Sequence, residues 1–124
     1  MRIHHVQVGM PAGGEDAARA FYADALGLVE VAKPAELAGR GGVWFRSPGG
    51  AEIHLGVEDP HLPPQKAHPA LAVDTEAELE ALGEKLAALG HDVDWSQRHN
   101  ADTFQRFHLR DPFGNRLEIV WPTA

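Results

Sequence analysis

The chain repeats itself, and that constrains its fold more than any other feature. Gly27 closes one amphipathic stretch and Gly90 closes another, 63 residues on, and at the same spacing His5 falls on His68. Farther along the spacing becomes 64, one residue inserted, and Arg46 falls on Arg110, Pro48 on Pro112, Gly50 on Gly114, Ile53 on Leu117, His54 on Glu118 and Leu55 on Ile119. The segments WFRSPGGAEIHLGV and HLRDPFGNRLEIVW therefore align without a gap. A self-match at fixed period marks a duplicated supersecondary unit, neither copy of which buries its apolar face well alone.

Each copy has the same order of elements. Residues 3–10 alternate with period two, the pattern of a half-buried strand. Residues 15–26 place Ala18, Phe21, Tyr22, Ala25 and Leu26 at helical spacing, with Gly27 as the stop. Strands follow at 28–31, Val43–Arg46 and 51–57, the last two joined by the turn sequence Ser47-Pro48-Gly49-Gly50. The proline-bearing stretch 58–66 reads as an extended linker. The order then recurs: a strand at 67–73, a helix opened by Thr75 with Glu78 as capping box, and strands at 91–95, 105–110 and 115–121. Leu79, Leu82, Leu86 and Leu89 form the apolar stripe of the second helix. The expectation is an α+β fold in a single domain, 1–124, with module one at 1–57, a linker at 58–66 and module two at 67–124. Two tandem βαβββ modules would form a curved mixed sheet around a cleft, helices on its outer face.

Side chains on a strand alternate between faces. Val6, Val8 and Met10 point one way, His5 and Gln7 the other. Ile53, Leu55 and Val57 are apolar, leaving Glu52, His54 and Gly56 opposite. Leu71 and Val73 oppose His68, and Leu117, Ile119 and Trp121 oppose Glu118. His5, His54, His68 and Glu118 thus all fall on the face turned from the helices. Three imidazoles and one carboxylate suit a divalent first-row metal such as Zn, Ni, Fe, Co or Mn. Such an ion with open positions accepts two oxygens from a substrate and acts as a Lewis acid. The same face carries Gln7, Trp44, Arg46, Arg106 and His108 as candidate substrate-cleft residues. Of the other histidines, His4 is assigned to the helix side, His61 and His91 to solvent, and His99 to the loop 96–103.

Composition narrows the alternatives. The absence of cysteine excludes disulfides, thiolate metal sites and a cysteine nucleophile. A formal charge of −7 argues against a nucleic-acid partner, which calls for a basic stripe. No apolar run is long enough for a membrane span. With Met1-Arg2-Ile3-His4-His5 running straight into a strand pattern and no signal-peptide core, a cytoplasmic location is the expectation. The arginines of the cleft face suit an anionic substrate, whereas the net acidity favours a cationic one.

The chain resembles the vicinal oxygen chelate superfamily, which includes glyoxalase I, bleomycin-resistance proteins, fosfomycin-resistance enzymes and extradiol dioxygenases. The resemblance spans the whole chain and is carried by HHVQV at the start, FYADALGL in the first helix, HPALAV opening module two and, most specifically, DPFGNRLEIV at the end. Carried over by position, it places metal ligands on His5, His54, His68 and Glu118, with Glu118 the candidate proton shuttle. His54 departs from the family pattern, which more often has Glu or Gln there, and members with a three-ligand set would need only His5, His68 and Glu118. The resemblance implies a lyase, isomerase or oxygenase acting on a small substrate with vicinal oxygens, in a homodimer that covers open sheet edges. The competing reading is a metal-free protein that sequesters a small molecule, with Trp44 and Trp95 as stacking surfaces for a cationic aromatic drug.

Overall fold

A computed structural model describes residues 1–123. The chain divides into two units, one comprising Met1–Pro63 with Pro112–Asn115 and the other Pro64–Asp111 with Arg116–Ala124. Each holds its own sheet and helical layer, the α+β architecture expected.

In the first unit, β1 (Val6–Met10) leads to α1 (Glu15–Ala18), which continues as a π-helical stretch, Arg19–Ala25. The helical segment predicted over 15–26 is therefore present but widened. The amide of Leu26 donates to the carbonyl of Phe21, five residues back, at 2.9 Å. Phe21, Tyr22 and Ala25 are buried by this wider turn, and Tyr22 stacks on Phe45 at 5.5 Å. After β2 (Val29–Val31) the loop before Gly41 contains a 3₁₀ turn, Ala35–Arg40. Then β3 (Val43–Arg46) and β4 (Glu52–Val57) form a hairpin, and the strand order is β1-β4-β3-β2, with β1 parallel to β4. Gly42 adopts φ +84°, and a side chain there would run into the Leu55 carbonyl; the tight β3 entry thus calls for glycine.

The second unit has the same plan. β5 (Ala70–Ala72) precedes α2 (Glu76–Ala88), and β6 (Phe104–Arg110) pairs with β7 (Arg116–Pro122) in a sheet ordered β5-β7-β6. The capping box at Thr75 and Glu78 forms as expected. α2 ends in a Schellman motif, with the His91 amide on the Leu86 carbonyl and the Gly90 amide on that of Ala87, both at 3.0 Å. Leu79, Leu86, Phe107, Leu109, Leu117 and Ile119 are buried as this unit's core.

The strand predicted over 91–95 does not form. Only Asp94 bridges to His108, because its carboxylate accepts the Ser96 amide at 2.9 Å and turns the chain away. β1 and β5 are also shorter than the alternation implied. β4 starts at Glu52, so residues 3–5 extend past the ladder, and Pro69 brings no amide to β5. His5 and His68 consequently sit just before their strands.

The duplication is explicit in the ladders. Gln7 lies opposite His54 as Ala70 lies opposite Glu118, and Trp44 opposite His54 as His108 opposite Glu118. These pairs are related by the spacings of 63 and 64 seen in the sequence.

Candidate metal centre

Among the described residues two groups of ligand-type side chains come together, one in each unit: His4, His5 and Glu52, and His68, His108 and Glu118, each with donor atoms within 4.8 Å of one another. Of the four residues singled out from the repeat, His5 and His54 lie in the first unit and His68 and Glu118 in the second.

In the first unit the strand pairing of Trp44 with His54 stacks their rings face to face, 3.7 Å apart and 2° from parallel. His5 stacks on the same imidazole at 4.1 Å and 13°. His54 is buried, and its Nε2 donates to Glu52 Oε2 at 3.2 Å. Burial of its ring lowers the His54 pKa, against the pull of Glu52. Glu52 is itself buried; burial pushes its pKa up, but hydrogen bonds from Arg46 and His54 outweigh this and leave it below the ordinary carboxylate value. Arg46 donates through Nε to Glu52 Oε1 at 2.9 Å. His4, assigned to the helix side by alternation, is instead exposed, 2.9 Å from His5 Nδ1 and 3.7 Å from Glu52 Oε2. Lying before the first rung of β1, it escapes the strand's alternation.

In the second unit Glu118 is the hub. His68 Nε2 is 2.9 Å from its Oε2, His108 Nε2 is 3.8 Å from the same oxygen, and Arg106 Nη1 reaches Oε1 at 3.3 Å. Arg106 is held in turn by Gln97 at 3.2 Å and Asn100 at 2.9 Å. His68 Nδ1 stands 2.7 Å from the Lys66 carbonyl, which can only accept, so Nδ1 carries the proton. Its Nε2 lone pair is then directed at the carboxylate, an arrangement that needs a cation, either a proton or a metal ion, between them. A backbone carbonyl that fixes one imidazole nitrogen leaves the other oriented as a metal ligand would be. The donor set therefore fits a divalent metal. Burial lowers the His108 pKa, with Arg116 adding to the effect.

Each unit also has a cavity. One, of about 260 Å³ in the first unit, is lined by Gln7, Lys33, Leu37, Arg40, Trp44 and Leu55 among others. The other, of about 310 Å³ in the second unit, is lined by Asp92, Asp94, His108, Arg110 and Arg116. Among the cleft residues expected from sequence, Gln7 and Trp44 border the first cavity and His108 the second. Arg46 and Arg106 serve Glu52 and Glu118. Two further assignments change. His61, expected in solvent, is half-buried, with Nε2 donating to the Phe113 carbonyl at 2.9 Å. Trp95, considered as a drug platform, packs on Phe107 and over Gly83. Sequence reasoning missed Glu52 as a ligand-type residue, although it shares a strand face with His54.

Residues 2–119 match the family model of the Glyoxalase/Bleomycin resistance protein/Dioxygenase superfamily. Among solved structures, a putative glyoxalase family protein from Bacillus anthracis is 40% identical with TM-score 0.89, covering 98% of this chain and 95% of that one. A lactoylglutathione lyase from Agrobacterium tumefaciens is 25% identical with TM-score 0.67, covering 94% and 91%. A fosfomycin resistance protein from Listeria monocytogenes, 15% identical with TM-score 0.78 over 100% and 95%, shares the fold. No curated protein matches the chain.

Proposed function

This chain belongs to the Glyoxalase/Bleomycin resistance protein/Dioxygenase superfamily, and from that premise we propose that it is a metal-dependent enzyme acting on a small substrate through vicinal oxygens. The observation that carries this reading is the buried Glu118 carboxylate, one oxygen of which has His68 Nε2 at 2.9 Å and His108 Nε2 at 3.8 Å. A divalent ion held there would supply Lewis acidity to a carbonyl or enolate oxygen.

The chain's own residues do the rest. Arg106 holds Glu118 Oε1 and so orients Oε2 toward His68. The cavity beside Trp44 is lined by Lys33 and Arg40, which suit a substrate bearing a carboxylate or another anionic group. The same two cations disfavour the cationic drug of the competing reading. That reading retains one point of support: the first-unit cavity and its Trp44 wall require no metal to hold a small molecule. In this proposal the protein is a homodimer. The outer edges β1 and β2 of one sheet, and β5 and β6 of the other, are the strands a second copy would cover. Light scattering is expected to give twice the chain mass; a monomer at micromolar concentration would refute the dimer.

Elemental analysis of protein purified without chelator tests the main claim. We expect about one divalent metal per chain, reduced to a small fraction of that in Glu118→Gln. Metal-free wild-type protein would leave the sequestering reading in possession.

A further inference from the structure

We propose that the cavity of the first unit is a binding site for an aromatic carboxylate, Lys33 and Arg40 taking the carboxylate and Trp44 the ring. That this ligand is the substrate rests on the enzymatic reading above; the binding itself needs only the cavity.

Three observations carry it. The first is charge. The chain has a formal charge of −7, yet the residues lining this cavity include Lys33 and Arg40 and no acid. Neither cation makes an ion pair among the described residues: Lys33 Nζ donates to the neutral Gly41 carbonyl, and Arg40 is exposed. Glu15 comes near Gly41, but its Oε1 accepts the Gly42 amide at 3.1 Å. Two cations without a counter-charge give the cavity a positive potential that attracts an anion. A carboxylate accepts charge-assisted hydrogen bonds from an ammonium and a guanidinium alike.

The second is that the cations are held in place. Arg40 is the last residue of the 3₁₀ turn, and the Lys33 bond to Gly41 closes the loop around that turn. The Glu15 bond to Gly42 then fixes the loop at its exit.

The third is the shape of the remaining lining. Trp44 is half-buried, and its stack on His54, at 3.7 Å and 2° from parallel, fixes the plane of its ring. Position 56 is glycine, and a β-carbon there would strike the Gln7 side-chain amide, so that amide lies directly on the backbone. Leu37 and Val57 add apolar surface. A flat aromatic ring covers such a rigid indole better than a puckered aliphatic one does. A small inorganic anion would leave the apolar surfaces uncovered.

The test is titration of the chelator-stripped full chain with benzoate, followed by ¹⁵N–¹H NMR. Cyclohexanecarboxylate, benzamidinium and inorganic phosphate serve as comparison ligands. Benzoate is expected to shift the Trp44 indole and the amides of 33–44 and 54–57 saturably, and to bind at least about threefold tighter than each comparison ligand. Arg40→Gln and Lys33→Gln should each raise the benzoate dissociation constant at least about tenfold, the loss of one charge-assisted hydrogen bond. If circular dichroism shows Lys33→Gln to be unfolded, the variant of the exposed Arg40 decides. Benzoate that fails to bind, or that binds the variants as it binds wild type, overturns the proposal. Equal or tighter binding of any comparison ligand overturns the aromatic carboxylate as the ligand class. Metal content, measured separately on unstripped protein, keeps the two readings apart: benzoate binding by a chain that purifies without metal would support the site and refute the enzymatic reading beneath it.

Discussion

The chemistry of single residues turns on polar groups placed where a hydrophobic core would be expected. His54, His108, Glu52 and Glu118 are all buried among strands; hydrogen bonds hold His54, Glu52 and Glu118, whereas the His108 Nδ1 atom is buried without one. Burial depresses the pKa of His54 and of His108 below 6.5. The sign of the stability effect follows. Above about 6.5 both folded and unfolded rings are neutral and contribute no pH dependence. As pH falls through that value the unfolded chain binds protons that the folded chain refuses, so stability is lost, by up to about 1.4 kcal/mol per pH unit for each proton. Urea unfolding in the presence of chelator, followed down from neutral pH, should show this loss, and His108→Asn should make it shallower. An unchanged slope would mean that His108 titrates normally in the fold. Glu52 and Asp94, whose pKa values are depressed chiefly by hydrogen bonds, add a second loss at more acid pH.

At the scale of elements, Gly83 is the most informative position. A glycine inside a helix costs about 1 kcal/mol relative to alanine, yet here it sits buried in the middle of α2. Trp95 lies so close that a β-carbon at position 83 would strike its ring, while the ring packs on Phe107 at 4.8 Å and under the Arg98 guanidinium at 4.8 Å. Gly83→Ala should therefore destabilise the protein by about 1–3 kcal/mol despite its better helix propensity; thermal unfolding checks this, and a raised Tm would show that the tryptophan gives way. Periodicity made much of this level readable. The capping box at Thr75, the stops at Gly27 and Gly90, and the β3–β4 hairpin all stand where local chemistry put them. It failed where the cause was not local. The widened turn after Ala18 reflects packing of Phe21, Tyr22 and Ala25, and the missing strand at 91–95 reflects a side-chain turn at Asp94 that alternation does not register.

Across the whole molecule, the duplication carried the most information. The spacings of 63 and 64 put His54 and Glu118 at equivalent rungs, and the ladders keep them there. His68 and Glu118 were readable together because alternation put both on the sheet face turned from the helices. His108 was readable only as a cleft residue. The signal for more was present: His108 and Glu118 lie equally far from Phe113, so a hairpin closing there pairs them. His61 was misread because its partner, Phe113, is 52 residues away in sequence. Among the described residues no helix is long and apolar enough to cross a membrane. The fold admits two metal groups, and the account chooses the one built on Glu118. An anomalous difference map from crystals soaked in zinc, collected at the zinc edge, tests that choice most directly. The account predicts the strongest peak within bonding distance of Glu118 Oε2 and the Nε2 atoms of His68 and His108. A strongest peak at His4, His5 and Glu52, with none beside Glu118, would contradict it.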